Sequence, residues 1–145
     1  MIRKHLLDLN VLIALVDSAH QHYPIAQDWF ISSRGFQLGL CPFTEAGFLR
    51  VTTNPAYSPK PRTFEEAIAI LRILKGNTDY WYCGIDKSWV ELTAPFAARI
   101  FGHQQVTDAY LLGLAIKERG MLVTFDKGIQ HMAGVEFGQN VLVLE

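Results

Sequence analysis

The sequence is poor in cysteine, in charge and in long apolar runs, and each shortage removes a class of protein. Cys41 and Cys83 are the only cysteines in 145 residues, too few for a disulfide scaffold, and their separation matches no thiolate metal motif or redox pair. Charged residues make up only 19%, and the formal net charge is −1. The chain therefore lacks the composition of a disordered segment and any general attraction for polyanions; contact with nucleic acid has to come from a local patch. The strongest apolar stretch, residues 6–16, is interrupted by Asp8 and Asn10 and falls far short of the ~20 residues of a spanning helix. It follows Arg3 and Lys4 as the core of a signal peptide does. The two polar residues inside it, and the lack of a small-residue cleavage site before Asp17, argue against that role, so a cytoplasmic location without a membrane segment is expected. Repeats, linkers and low-complexity segments are also missing, and one domain over residues 1–145 is expected.

What is present is an alternation of short apolar strands and helices. Half of the residues are hydrophobic, enough for a substantial core. A strand is expected through Leu7, a turn at Asp8 and a helix from about Asn10. Tyr23-Pro24 opens a second helix, with proline tolerated in the first turn, and Gly35 stops it. His20 and His22 precede it in a polar loop and read as solvated side chains in preference to metal ligands. Gln37–Leu40 is a second strand, after which Thr44 is expected to cap a helix carrying Ala46, Phe48, Leu49 and Val51. The loop from Thr53 to Arg62 holds Pro55, Pro59 and Pro61 together with Lys60 and Arg62, a place where a phosphate contact can sit. Thr63 and Glu66 have the spacing of a capping box, as do Ser88 and Glu91. Between them, Tyr80–Ile85 reads as a strand buried under helices. Pro95 breaks the helix that follows Ser88. Thr107-Asp108 opens the most apolar helix, with Gly120 as its stop, and strands are expected at 121–125 and 141–144. Such alternation implies a parallel sheet with helices on both faces.

Four acids fall at one kind of position in that scheme. Asp8 and Asp126 each follow a strand directly; Glu45 and Asp108 lie one turn into helices that begin at the same edge, where ligands gather in parallel α/β folds. Taken singly each is an ordinary cap or first-turn residue. Taken together, converging carboxylates repel unless a cation neutralises them, and an all-oxygen donor set selects Mg²⁺ or Mn²⁺. An ion so held can activate water for displacement at phosphorus, which points to phosphodiester hydrolysis.

Four segments carry a resemblance: Leu7-Asp8-Leu9-Asn10-Val11-Leu12-Ile13, Thr44-Glu45-Ala46-Gly47-Phe48-Leu49-Arg50, Gln105-Val106-Thr107-Asp108-Ala109-Tyr110-Leu111 and Val123-Thr124-Phe125-Asp126-Lys127-Gly128. In this order and spacing they resemble the signature segments of PIN-domain ribonucleases, most closely the VapC toxins of prokaryotic toxin–antitoxin pairs. Thr53-Asn54-Pro55 and Gly102-His103-Gln104-Gln105 are similar to one VapC subgroup. The resemblance implies a five-stranded parallel sheet of order 3-2-1-4-5 and a Mg²⁺- or Mn²⁺-dependent endoribonuclease. Asp8 and Asp108 are the implied metal ligands, and Glu45 and Asp126 complete the acidic site. Asn10, Thr107 and Thr124 match positions that support these acids by hydrogen bonds. A homodimer and a small inhibitory VapB-type antitoxin are implied as well.

Two other readings compete. A phosphatase of the haloacid-dehalogenase type also has an Asp after its first strand, but needs a second Asp two residues on, where Asn10 stands. A PIN module that only binds a partner should have lost its acids, and all four are here.

Overall fold

In the computed structural model, which describes residues 3–33 and 35–145, five short strands pair into one parallel sheet. They are β1 (Lys4–Leu7), β2 (Gln37–Leu40), β3 (Tyr80–Tyr82), β4 (Met121–Thr124) and β5 (Val141–Val143), in the order β3-β2-β1-β4-β5. The chain leaves β1 in one direction through β2 to β3, then crosses back and continues through β4 to β5. The order therefore reverses between β1 and β4, which pair with Leu7 opposite Val123. This is the order the resemblance implies.

Strand residues point alternately to the two faces, and two cores result. Leu7 and Val123 face the core covered by α1 (Leu9–Val16), α2 (Tyr23–Ser32), α3 (Pro42–Thr52) and α4 (Phe64–Gly76). Their neighbours Leu6 and Leu122 face the other core, under α5 (Trp89–Thr93), α6 (Val106–Lys117) and α7 (Lys127–Ala133). Helix α6 is buried from Ala109 to Ala115, which is why its sequence is apolar all round. The Thr63–Glu66 capping box forms reciprocally, with Thr63 Oγ1 accepting from Glu66 N at 3.1 Å and Glu66 Oε1 accepting from Thr63 N at 2.9 Å. At Ala94-Pro95 the α5 segment gives way to a 3-10 stretch, Ala94–Arg99.

Three expectations are corrected. Helix α3 starts at Pro42 with Cys41 before it, so Thr44 is no cap; it lies inside the helix, buried, with its hydroxyl directed at the Leu7 carbonyl. Pro42 takes the position where a missing N–H costs nothing. The aromatic strand β3 ends at Tyr82 and pairs only with β2, which makes it the sheet edge, with Tyr82 exposed. Its aromatic residues suit a half-covered surface as well as a core, and composition did not separate the two. Helix α6 does not stop on Gly120. Arg119 takes the left-handed conformation, φ +56°, and Gly120 N donates to Ala115 O at 2.7 Å while Arg119 N donates to Ile116 O at 3.1 Å, the paired bonds of a Schellman ending. Gly120 is needed for another reason: a Cβ there lies 2.8 Å from the Lys4 carbonyl of β1.

A similar close approach sets a stability prediction. A Cβ on Gly113 of α6 meets the Leu92 carbonyl of α5 at 2.8 Å, so the two helices touch through backbone. Gly113→Ala must push them apart and should cost about 1–3 kcal/mol, the usual cost of overpacking. A denaturant melt checks it; unchanged stability means that the α5–α6 contact is easily displaced.

Candidate active site

Asp8 is built into the join of β1 and α1. Its N–H continues the sheet, donating to Val123 O at 3.0 Å, and its carboxylate Oδ1 accepts from Leu9 N at 2.7 Å at the start of α1. Its other oxygen, Oδ2, accepts from Thr124 Oγ1 at 2.8 Å. Thr124 is itself fully buried, and its hydroxyl oxygen accepts in turn from Asp126 N at 3.0 Å. One hydroxyl thus ties two acids from neighbouring strands to each other. Asp126 caps α7, accepting from Gly128 N at 2.7 Å. Asp108 enters from the first turn of α6.

The three carboxylates line one cavity of about 260 Å³, together with Asn10, Thr107 and the α3 residues Phe43, Thr44, Gly47 and Arg50. Their closeness shows in the acidity of Asp108 and Asp8. Burial, followed by the charges of Asp8 and Asp126, pushes the Asp108 carboxyl up to about 7. Burial also raises Asp8 above the usual carboxylate range, with the Asp126 charge adding to it, while the Thr124 hydroxyl and the Leu9 N–H work against the rise. A concave site holding a carboxyl that titrates near neutrality marks a functional candidate.

Glu45 is not brought to this cavity. Residues 43, 47 and 50 recur on one face of α3, whereas Glu45 is two positions, ~200°, round from Gly47. Its carboxylate forms an ion pair with Lys75 of α4. In its place the helix offers a residue that the sequence reading did not single out, Arg50, which projects from the cleft-facing side. Its spacing of three from Gly47 and seven from Phe43 is the signal that identifies it. Gly47 permits the arrangement, since a Cβ there comes within 2.8 Å of the Leu9 side chain. Of the residues expected to support the acids, Thr124 makes the hydrogen bonds described above, and Asn10 and Thr107 line the cavity wall. The thiols offer no alternative chemistry: both cysteines are buried and free, and burial pushes Cys83 up to about 12.

Among the described residues no three carboxylate, imidazole or thiolate groups already form a closed metal-binding cluster. The donor set nevertheless fits a hard divalent cation: oxygen ligands alone, on rigid element ends, with a raised Asp108 that a positive charge relieves. Among the described residues no helix is long and apolar enough to cross a membrane.

The chain matches the PIN domain family over residues 5–135. Ribonuclease VapC38 of Mycobacterium tuberculosis is 38% identical over 128 residues, which are 88% of this chain and 89% of that protein. Ribonuclease VapC44 of the same organism is 36% identical over 126 residues, 86% of this chain and 87% of that one. Among solved structures, VapBC2 from Rickettsia felis bound to a DNA fragment from their promoter shares the fold with a TM-score of 0.61 at 12% identity, covering 98% of this chain and 99% of that one. FitAcB from Neisseria gonorrhoeae does so with a TM-score of 0.60 at 15% identity, covering 95% and 96%.

Proposed function

The chain belongs to the PIN-domain family, with VapC ribonucleases among its relatives, and from that premise we propose that it is a Mg²⁺- or Mn²⁺-dependent endoribonuclease acting as the toxin of a toxin–antitoxin pair. The observation that carries the reading is the convergence of Asp8, Asp108 and Asp126 on one cavity, with Thr124 bridging the first and last. Asp8 and Asp108 would hold the ion, which when bound would supply charge neutralisation and a more acidic water. Asp126, exposed at the cavity, would orient the attacking water and take its proton as the water oxygen bonds to phosphorus; the P–O bond to the leaving oxygen breaks, and that oxygen takes a proton from solvent. Thr124 keeps Asp8 and Asp126 in register. Arg50 donates to the non-bridging phosphate oxygens, a contact that suits the planar guanidinium. Glu45 stands outside the cleft, where its pairing with Lys75 ties α3 to α4.

An acid-lined cleft also suits a cationic plug, and we propose a small VapB-type antitoxin that inserts an arginine there, with the toxin acting as a homodimer. The test is one experiment on the purified protein and total cellular RNA. New RNA ends should appear with Mg²⁺ or Mn²⁺, vanish with chelator, and be suppressed when the product of the neighbouring small reading frame is added. Release of phosphate from monoesters without RNA cleavage favours a phosphatase instead, and no hydrolysis of either favours a binding module.

A further inference from the structure

A second cavity, of about 320 Å³, is lined by residues of α1, α3, α4 and the proline-rich loop 53–62, with Asp17 after α1. Helices α1 and α3 contribute to both cavities. Asn10 and Arg50 line the acid cleft, while the second is lined by Ile13, one turn further along α1, and by Thr52, which lies two positions, ~200°, round α3 from Arg50. The second cavity therefore lies toward the C-terminal end of α1, where Val16 and Asp17 also line it, and a strand leaving the acid cleft along α1 runs toward it.

The loop is held in place by named contacts. Arg62 N donates to Thr52 O at 2.9 Å, Tyr57 N to Asn54 O at 3.0 Å, and the Tyr57 hydroxyl to Asp17 Oδ2 at 2.6 Å. Pro55, Pro59 and Pro61 restrict the backbone between these points. This order presents Lys60 and Arg62 at the cavity, both exposed.

The acids in the wall are already engaged. Asp17 accepts from Tyr57 through one oxygen and from Ala19 N at 3.0 Å through the other, and Glu66 accepts from Thr63 N in the α4 cap. Both lie within electrostatic reach of Arg62. The ion pairs among the described residues nevertheless leave out Arg50, Lys60 and Arg62. A preorganised loop that keeps two cations out of ion-pair contact, with a third in the acid cleft, is suited to an anionic chain passing across loop and cleft.

We propose that this cavity is a phosphate subsite for the RNA strand, with Lys60 and Arg62 contacting a backbone phosphate away from the one cleaved. The subsite rests on the ribonuclease reading above. It contributes grip without sequence information.

The test measures binding of a single-stranded RNA of about twelve nucleotides in chelator, across salt, by the wild type and by Lys60→Ala/Arg62→Ala. Single-strand contacts carry a slope of about 0.7 each. The double variant should therefore bind more weakly, with a salt slope shallower by about 1.4, so that its deficit shrinks about sevenfold between about 50 and about 200 mM salt. In Mg²⁺ its KM for the long RNA should rise with kcat unchanged, and cleavage of a dinucleotide, too short to span both cavities, should match the wild type. Lys60→Arg/Arg62→Lys should restore the slope, and an unchanged melting temperature shows that the loop is intact. Equal slopes and equal KM, with the wild type cleaving RNA normally, overturn the subsite and leave the ribonuclease reading standing. A wild type that neither binds nor cleaves RNA overturns both. Loss of inhibitor binding with RNA binding unchanged reassigns the loop to a protein partner and equally removes the proposal.

Discussion

Asp8→Asn should lose RNA cleavage in Mg²⁺ or Mn²⁺ while keeping its fold. Asn preserves the shape of the cap and can still accept from Leu9 N, which in the native chain donates to Asp8 at 2.7 Å. It removes the charge that would hold the ion. The loss should exceed the roughly 10–100-fold that removal of an outer-shell partner costs. Thr124→Val supplies that comparison in the same protein. It deletes the hydroxyl that donates to Asp8 Oδ2 at 2.8 Å and accepts from Asp126 N at 3.0 Å, and leaves both acids present. It should fall within the outer-shell range, with its metal requirement shifted to higher concentration. Glu45→Gln, outside the cleft and paired with Lys75, should lose less than either. The measurement is initial cleavage rate against metal concentration, with circular dichroism as the folding control. If Asp8→Asn cleaves at near-native rate, the metal mechanism is wrong. If Glu45→Gln is as damaged as Asp8→Asn, Glu45 turns into the cleft when substrate is bound.

The second large effect is on stability and has the opposite sign. Asp108 has its carboxyl raised from 3.8 to about 7 by burial and by Asp8 and Asp126. Between these two values the folded chain holds a proton that the unfolded chain has released. The contribution of Asp108 to stability is thus fully present below about pH 4, is lost as pH rises from there to about 7, and is level above that. Above that point the wild type without metal carries the full cost of an ionised Asp108, and Asp108→Asn does not. The variant should be inactive and yet melt higher than wild type in chelator at pH 8. After discounting for partial exposure and solvent screening, the difference is about 1–2 kcal/mol, or roughly 3–8 °C. The gap should close as pH falls toward 4. Mg²⁺ or Mn²⁺ should raise the wild type more than the variant, because ligand binding to the folded form adds stability only where the ligand binds. Thermal melts at several pH values, with and without metal, decide it. A variant that melts well below wild type at pH 8 in chelator, with equal metal shifts for both, would falsify the acid-site assignment and leave Asp108 as an ordinary first-turn residue. A gain of stability on loss of activity is common where like charges are gathered for function.

Much of this was legible in the order of residues, because it depends on neighbours a few positions apart. The strand–acid–helix pattern at Leu7-Asp8-Leu9, the Thr63–Glu66 cap, the break at Pro95 and the apolar length of α6 each follow from local backbone preference and from the periodicity of apolar side chains. Alternation of such segments was enough for a parallel sheet with two covered faces. It was also enough to put Asp8, Asp108 and Asp126 at one edge, since acids at strand ends and helix starts share that edge whichever strands are neighbours.

What the sequence left open depends on packing between distant segments. Thr124 meets Asp8 only because β1 and β4 pair in parallel with Leu7 opposite Val123, a register settled across 116 positions. The edge position of β3 is likewise a property of the whole sheet, not of Tyr80, Trp81 and Tyr82. Most clearly, the sequence placed Glu45 at the right end of α3 but could not say which way it faces. A helix has a rotation about its axis that local pattern constrains weakly when both sides are partly apolar. Burial of Phe48 in the core and close approach of Gly47 to Leu9 set that rotation, turning Arg50 toward the acids and Glu45 toward Lys75. Position along an element is a local matter, whereas azimuth and partner are decided by the tertiary contacts that bury it.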